Sequence, residues 1–163
     1  MPPVPSVLRV RAFRQVWLAG LASNAGSWLQ IVAAGWLVLR MTGSPAAVGA
    51  LALVARGPSI LLSGWAGALA DRHDRRAVVA WTFVVQAAAA AGLAALQLAG
   101  SAGVAAIYAF TFAGGAGFAL GLPAMLALIP SLVAPDRLPQ AVSLNAAGIK
   151  LARAVGPPVG GVV

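Results

Sequence analysis

Residues 67–76 read Gly67-Ala68-Leu69-Ala70-Asp71-Arg72-His73-Asp74-Arg75-Arg76, four small or apolar residues followed by an unbroken run of charged and titratable ones. On either side lie long apolar stretches, roughly 46–70 and 77–99, in which Arg56 is the only charge. A helix needs about 20 apolar residues to cross the ~30 Å hydrocarbon core of a bilayer. The run 71–76 is therefore a tight, charged connector between two membrane-crossing helices.

Outward from this connector the same pattern repeats. The reading places crossings at roughly 16–39, 46–70, 77–99 and 102–129, with a weaker fifth at 140–163 that contains Lys150 and Arg153. The chain of 163 residues is 61% hydrophobic and 9% charged, with a mean hydropathy of +0.91. A soluble domain carries about 25% charged residues, so lipid has to be the solvent for much of this surface. The fold class is all-α, a polytopic membrane helical bundle with the bilayer as its first partner. Arg9, Arg11 and Arg14 precede an apolar run that is too long for a cleaved leader, whose core is about 7–15 residues. An uncleaved first helix is expected.

The connectors carry ordinary punctuation. Ser44 and Pro45 suit an N-cap and a first helical position, and Gly100-Ser101 marks a turn. Lys and Arg in the connectors set orientation. Arg9, Arg11, Arg14, Arg72, Arg75, Arg76 and Arg137 fall on one side and Arg40 alone on the other, so the N-terminus is expected in the cytoplasm. The net charge of +8 is thus a topology signal, with no nucleic-acid partner implied. There is no Cys and one His, His73, which excludes a thiolate metal site; no metal or cofactor is expected. No acid, His or Cys lies in any crossing to act as base or nucleophile, which argues against an enzyme.

The connector Gly67–Arg76 resembles the loop signature of the major facilitator superfamily, G-x-L-A-D-R-x-G-R-R, and occupies the same place between the second and third crossings. Asp74 stands where many members have Gly, a departure similar to the branch of enterobactin exporters and macrolide-efflux relatives. A second stretch, Ala152-Arg153-Ala154-Val155-Gly156-Pro157-Pro158-Val159-Gly160-Gly161, resembles the fifth-span signature G-x-x-x-G-P-x-x-G-G of antiporter and exporter members, with Ala152 in place of the first Gly. Phe13 to Trp17, Ser23-Asn24, Gly26 to Trp28, Leu39 to Pro45 and Arg137 to Asn145 are similar to the same branch. The resemblance implies twelve helices in two halves, so this chain reads as the N-terminal part of one bundle: four full crossings and part of a fifth. It implies secondary export of a small-molecule substrate by alternating access. The alternative is a non-transporting fragment or scaffold that needs a missing C-terminal half or a complementing chain.

Gate roles follow for Gly67, Asp71, Arg72, Arg75 and Arg76. Asp71 is expected to accept backbone N–H bonds and to pair with an Arg, and Gly67 to leave room for a neighbouring helix. A helix bend is implied at Gly156, Pro157, Gly160 and Gly161. Polar residues at membrane depth face a cavity or partner helices. Ser23, Ser27 and Gln30, with Asn24 beside them, form a stripe along the first crossing; it faces either a substrate cavity or another helix. The resemblance places the first and fourth crossings at the central cavity, which adds Tyr108 and Thr111. Arg56, near mid-depth beside an expected kink at Gly57-Pro58, is expected to face the protein interior. Its partner would be backbone carbonyls, an acid from outside the chain, or an anionic substrate, with a structural pairing preferred. No carboxylate lies at membrane depth to support proton coupling.

Overall fold

Each helix in the computed structural model starts or stops where the local chemistry requires it. The structure describes residues 6–160, with side chains described as far as Ala154. A 3₁₀ turn, Ser6–Arg9, leads into α1, Arg11–Thr42. Gly43 ends α1 in the left-handed region at φ 63°, donating its N–H to the Leu39 carbonyl at 2.8 Å, the usual glycine solution to a helix C-terminus. Ser44 then caps α2, Pro45–Leu61, by accepting the Ala47 N–H at 3.3 Å. The remaining helices are α3, Ser63–Arg72; α4, Arg75–Leu98; α5, Val104–Leu132; and α6, Leu138–Gly160. Gly100, at φ 67°, turns the chain between α4 and α5.

The stretch 46–70 is one segment in the sequence reading, with its kink at Gly57-Pro58. In the structure α2 runs through both residues and the chain breaks at Leu62, where α2 and α3 meet at 50°. Proline cannot donate to the carbonyl one turn earlier; the helix nevertheless continues, and the Leu62 N–H still reaches the Pro58 carbonyl at 2.8 Å. Beside the break Ser63 donates its hydroxyl to the Ile60 carbonyl at 3.0 Å.

Among the described residues, α4 and α5 are long and apolar enough to cross a membrane, and the bent pair α2–α3 passes as a third. Length is not what separates α1 from them: residues 14 to 40, with Arg at both ends, span about 39 Å of helix. Its polar stripe and the Lys150 and Arg153 of α6 lower the apolar character of those two helices.

The helices run alternately up and down, with α5 packed against α4, α2 and α3, and α1 against α6. Two apolar clusters close the ends. One gathers Phe13, Ala70, Val79, Ala124, Leu128, Ile129 and Ala141; the other gathers Ala34, Val38, Leu51, Leu93 and Ile107. Between them lies a polar layer of Ser23, Asn24, Ser27, Gln30, Thr82, Gln86, Thr111 and Asn145. Glycine lets the helices close around this layer, as small residues do in membrane bundles. A Cβ at Gly121 would fall 2.5 Å from Thr82 Oγ1, and one at Gly117 would fall 3.1 Å from Gln86 Cγ.

Candidate functional site

The stripe on α1 divides between two neighbours. Ser23 donates its hydroxyl to Gln86 Oε1 at 3.1 Å and Ser27 does so at 3.5 Å, while Gln86 Nε2 donates back to the Thr82 carbonyl at 3.1 Å. Gln86 is 8% exposed, so this network ties α1 to α4 and uses both ends of one amide. Asn24 bonds its own helix, donating Nδ2 to the Gly20 carbonyl at 2.8 Å. Much of the stripe is thus interhelical adhesive, the alternative left open by the sequence.

Its other edge borders a cavity of about 160 Å³. Asn24, Ser27, Trp28 and Gln30 of α1 line it together with Arg56 of α2, Thr111 of α5 and Arg153 of α6. Thr111 Oγ1 and Gln30 Nε2 are buried there without a hydrogen-bond partner. A smaller space of about 40 Å³ adjoins it, where Asn24, Gln86 and Asn145 meet Trp17. Trp17 in turn donates Nε1 to the Leu144 carbonyl at 3.1 Å, joining α1 to α6.

Of the cavity residues expected from sequence, Tyr108 lies elsewhere. Its hydroxyl donates to the Ala47 carbonyl at 2.6 Å, tying α5 to the start of α2 at the far apolar cluster. Arg56 borders the cavity as expected, although its side chain is largely exposed there. Its guanidinium carbon lies 4.9 Å from the centroid of the Trp28 ring, and that of Arg153 lies 5.4 Å from the same ring. Gln86, Trp28 and Arg153 were not singled out as site residues in the sequence. The place of Trp28 beside Ser27 at the edge of the polar stripe is the one sequence signal that could have found it; nothing in the sequence pairs it with Arg56 across two helices.

At the charged connector the acids exchange roles. Asp74, not Asp71, accepts a backbone N–H, that of Arg76 at 3.0 Å, as the N-cap of α4. The reason is position: Asp71 sits in the last turn of α3, where the free backbone groups are carbonyls, while Asp74 precedes four unpaired N–H groups. Asp71 is exposed and forms no ion pair among the described residues, where Asp136 and Arg137 make the one such pair. Arg75 donates Nη1 to the Ala127 carbonyl of α5 at 3.4 Å. Arg72 and Arg76 point outward, and a Cβ at Gly67 would meet nothing within 4 Å. Among the described residues no helix fills the room at Gly67. Gly156, Pro157 and Gly160 fall within the backbone of α6, but their surroundings, like Gly161, lie outside the described residues.

Comparison with known proteins agrees with this architecture. Residues 4–163 match the family described as transmembrane secretion effector. The chain is 28% identical over 139 residues to a staphyloferrin A transporter of Staphylococcus aureus, covering 85% of this chain and 35% of that protein. It is 30% identical over 152 residues to enterobactin exporters of Salmonella typhimurium and Escherichia coli, covering 93% of this chain and 37% and 36% of theirs. The chain therefore spans just over a third of the length of the curated relatives it matches. No solved structure gives a significant match. An all-α bundle with a polar layer between apolar ends, a charged connector of the expected pattern and a match along nearly its whole length place the chain plainly: it is a multi-pass membrane protein of the transmembrane secretion effector family, within the major facilitator superfamily of transporters, and not an enzyme.

Proposed function

We propose that this chain forms the first five membrane crossings of a secondary exporter that moves a small molecule by alternating access. In this reading α2 and α3 together make one bent crossing, the N-terminus is cytoplasmic, and the protein resides in the inner membrane. The observation that carries the reading is the 160 Å³ cavity among α1, α2, α5 and α6, in whose mainly apolar wall Asn24, Ser27, Gln30, Arg56, Thr111 and Arg153 are set. A polar layer closed at each end by apolar packing is what a midplane site between two rocking bundles requires.

The charged connector supports a gate. Arg75 already holds the end of α5, whereas Gly67, Asp71 and Arg72 have no partner among the described residues. Their proposed partners belong to a second bundle, from the remainder of the protein or a complementing chain. The molecules named for the relatives, enterobactin and staphyloferrin A, are the first substrates to try. Vesicles containing the full-length protein should show energy-dependent flux of a substrate, and Asp71→Asn should reduce it strongly without changing the amount of folded protein. Unaltered flux in Asp71→Asn would remove the gate role; absence of flux from the wild type would favour a scaffold.

A further inference from the structure

The two arginines around Trp28 have no acidic partner among the described residues. All three acids, Asp71, Asp74 and Asp136, lie at helix ends or in the connectors between helices. Among the described residues neither Arg56 nor Arg153 has a hydrogen bond or ion pair, and the Trp28 ring is the contact they share. Arg56 is eleven residues beyond the start of α2, about 17 Å of helix, which puts it near the middle of a ~30 Å core. Through Trp28, Arg153 sits at the same level. An Arg at that depth is expensive and usually marks a functional site.

A ring face satisfies such a charge only in part. Cation–π attraction draws on the ring quadrupole and leaves the guanidinium's directed N–H donors, five on each, unused. Those donors match a carboxylate or phosphate edge. Gln30 borders the same cavity. The indole adds a flat apolar wall. The volume of about 160 Å³ resembles that of apolar cavities that admit one benzene-sized ring.

We propose that the Arg56–Trp28–Arg153 face of this cavity is a binding site for an organic anion, a soluble molecule that joins one or more carboxylates to a flat ring. The site deepens the transport reading by giving its cavity a substrate class, and its role in turnover rests on that reading, although binding alone does not. Before such a ligand arrives, the Trp28 ring is the contact that both guanidinium groups share, and both side chains remain exposed. On arrival they exchange a weak ring contact for charge-assisted hydrogen bonds.

The test uses radiolabelled phthalate, an aromatic dicarboxylate, with the full-length protein in phosphatidylcholine nanodiscs. Saturable binding is expected, weakened by salt and indifferent to uncharged dimethyl phthalate. Arg56→Gln and Arg153→Gln should each weaken it about tenfold, the loss expected for one hydrogen bond to a charged group. Arg56→Lys, which keeps the charge and the fold but not the fork, should fall between. No saturable binding, equal competition by the diester, or unchanged affinity in both Gln variants would overturn the site. Loss of phthalate binding when the discs contain phosphatidylglycerol would reassign it to a lipid headgroup and overturn the soluble source. Phthalate binding without flux in vesicles would sink the transport reading and leave the anion site standing; flux with binding untouched by either Gln variant would do the reverse.

Discussion

Gly115→Ala is expected to destabilise the protein by about 1–3 kcal/mol, the usual range for overpacking a closed contact, whereas Gly114→Ala should leave it unchanged or slightly firmer. The two residues are adjacent on α5 yet face different neighbours. At Gly115 an added Cβ would collide with the Ala55 carbonyl oxygen and lie 3.2 Å from its carbon and 3.5 Å from Pro58 Cγ. These are mostly backbone atoms, and Pro58 is among the most deeply buried residues, so α2 has no easy way to retreat. At Gly114 the nearest atoms, Ala89 Cβ and Gln30 Oε1, are 3.9 Å away. That is ordinary contact, and alanine is the better helix former by roughly 0.5–1 kcal/mol. Thermal unfolding of the two variants in one detergent measures the difference. Equal melting temperatures would mean that α2 and α5 do not cross as closely as the structure places them.

Gln86→Leu should be the second costly change, at about 1–3 kcal/mol, because it orphans groups rather than merely removing bonds. Its carbonyl oxygen accepts from both Ser23 and Ser27, and its amide donates to the Thr82 carbonyl. With leucine in place the two hydroxyls lose their acceptor inside the bundle. Adding Ser23→Ala and Ser27→Ala to Gln86→Leu should recover most of the loss, since replacing both sides of a buried polar contact is nearly neutral. Measured membrane pairs average about 0.6 kcal/mol, so a cycle of single, double and triple variants is needed to resolve the coupling. A triple variant no more stable than Gln86→Leu would show that the serines are not its partners.

The fold was legible because lipid imposes a coarse code. Apolar stretches of spanning length, the arginines that interrupt them and the Gly and Pro residues between them are all local. The Gly67–Arg76 connector marked the family for the same reason. What failed was the assignment of partners across helices. Asp71 and Asp74 are three residues apart, and only their places relative to the ends of α3 and α4 decide which one caps. Tyr108 and Thr111 sit three residues apart on α5, yet one bonds α2 and the other borders the cavity. Arg56 was visible as an anomaly, but its neighbours Trp28 and Arg153 come from the first and last helices. The break in the second crossing falls one turn later than its proline, at Leu62, so the proline does not mark it by itself.

The most direct measurement is the reactivity of single cysteines toward a membrane-impermeant thiol reagent, in the full-length protein in its membrane. The chain contributes no cysteine of its own, so an introduced thiol is its only reporter. Asn24→Cys places the thiol where both cavities meet. Val84→Cys places it on the opposite side of α4 from Gln86, at a position 57% exposed. Reaction needs the thiolate, which forms in water and not in lipid. If the polar layer is a water-filled transport cavity, the cysteine at 24 reacts, substrate slows it, and the cysteine at 84 stays inert. A cysteine at 24 as inert as that at 84 would mean that the layer is a sealed interhelical contact and that no substrate passes along it.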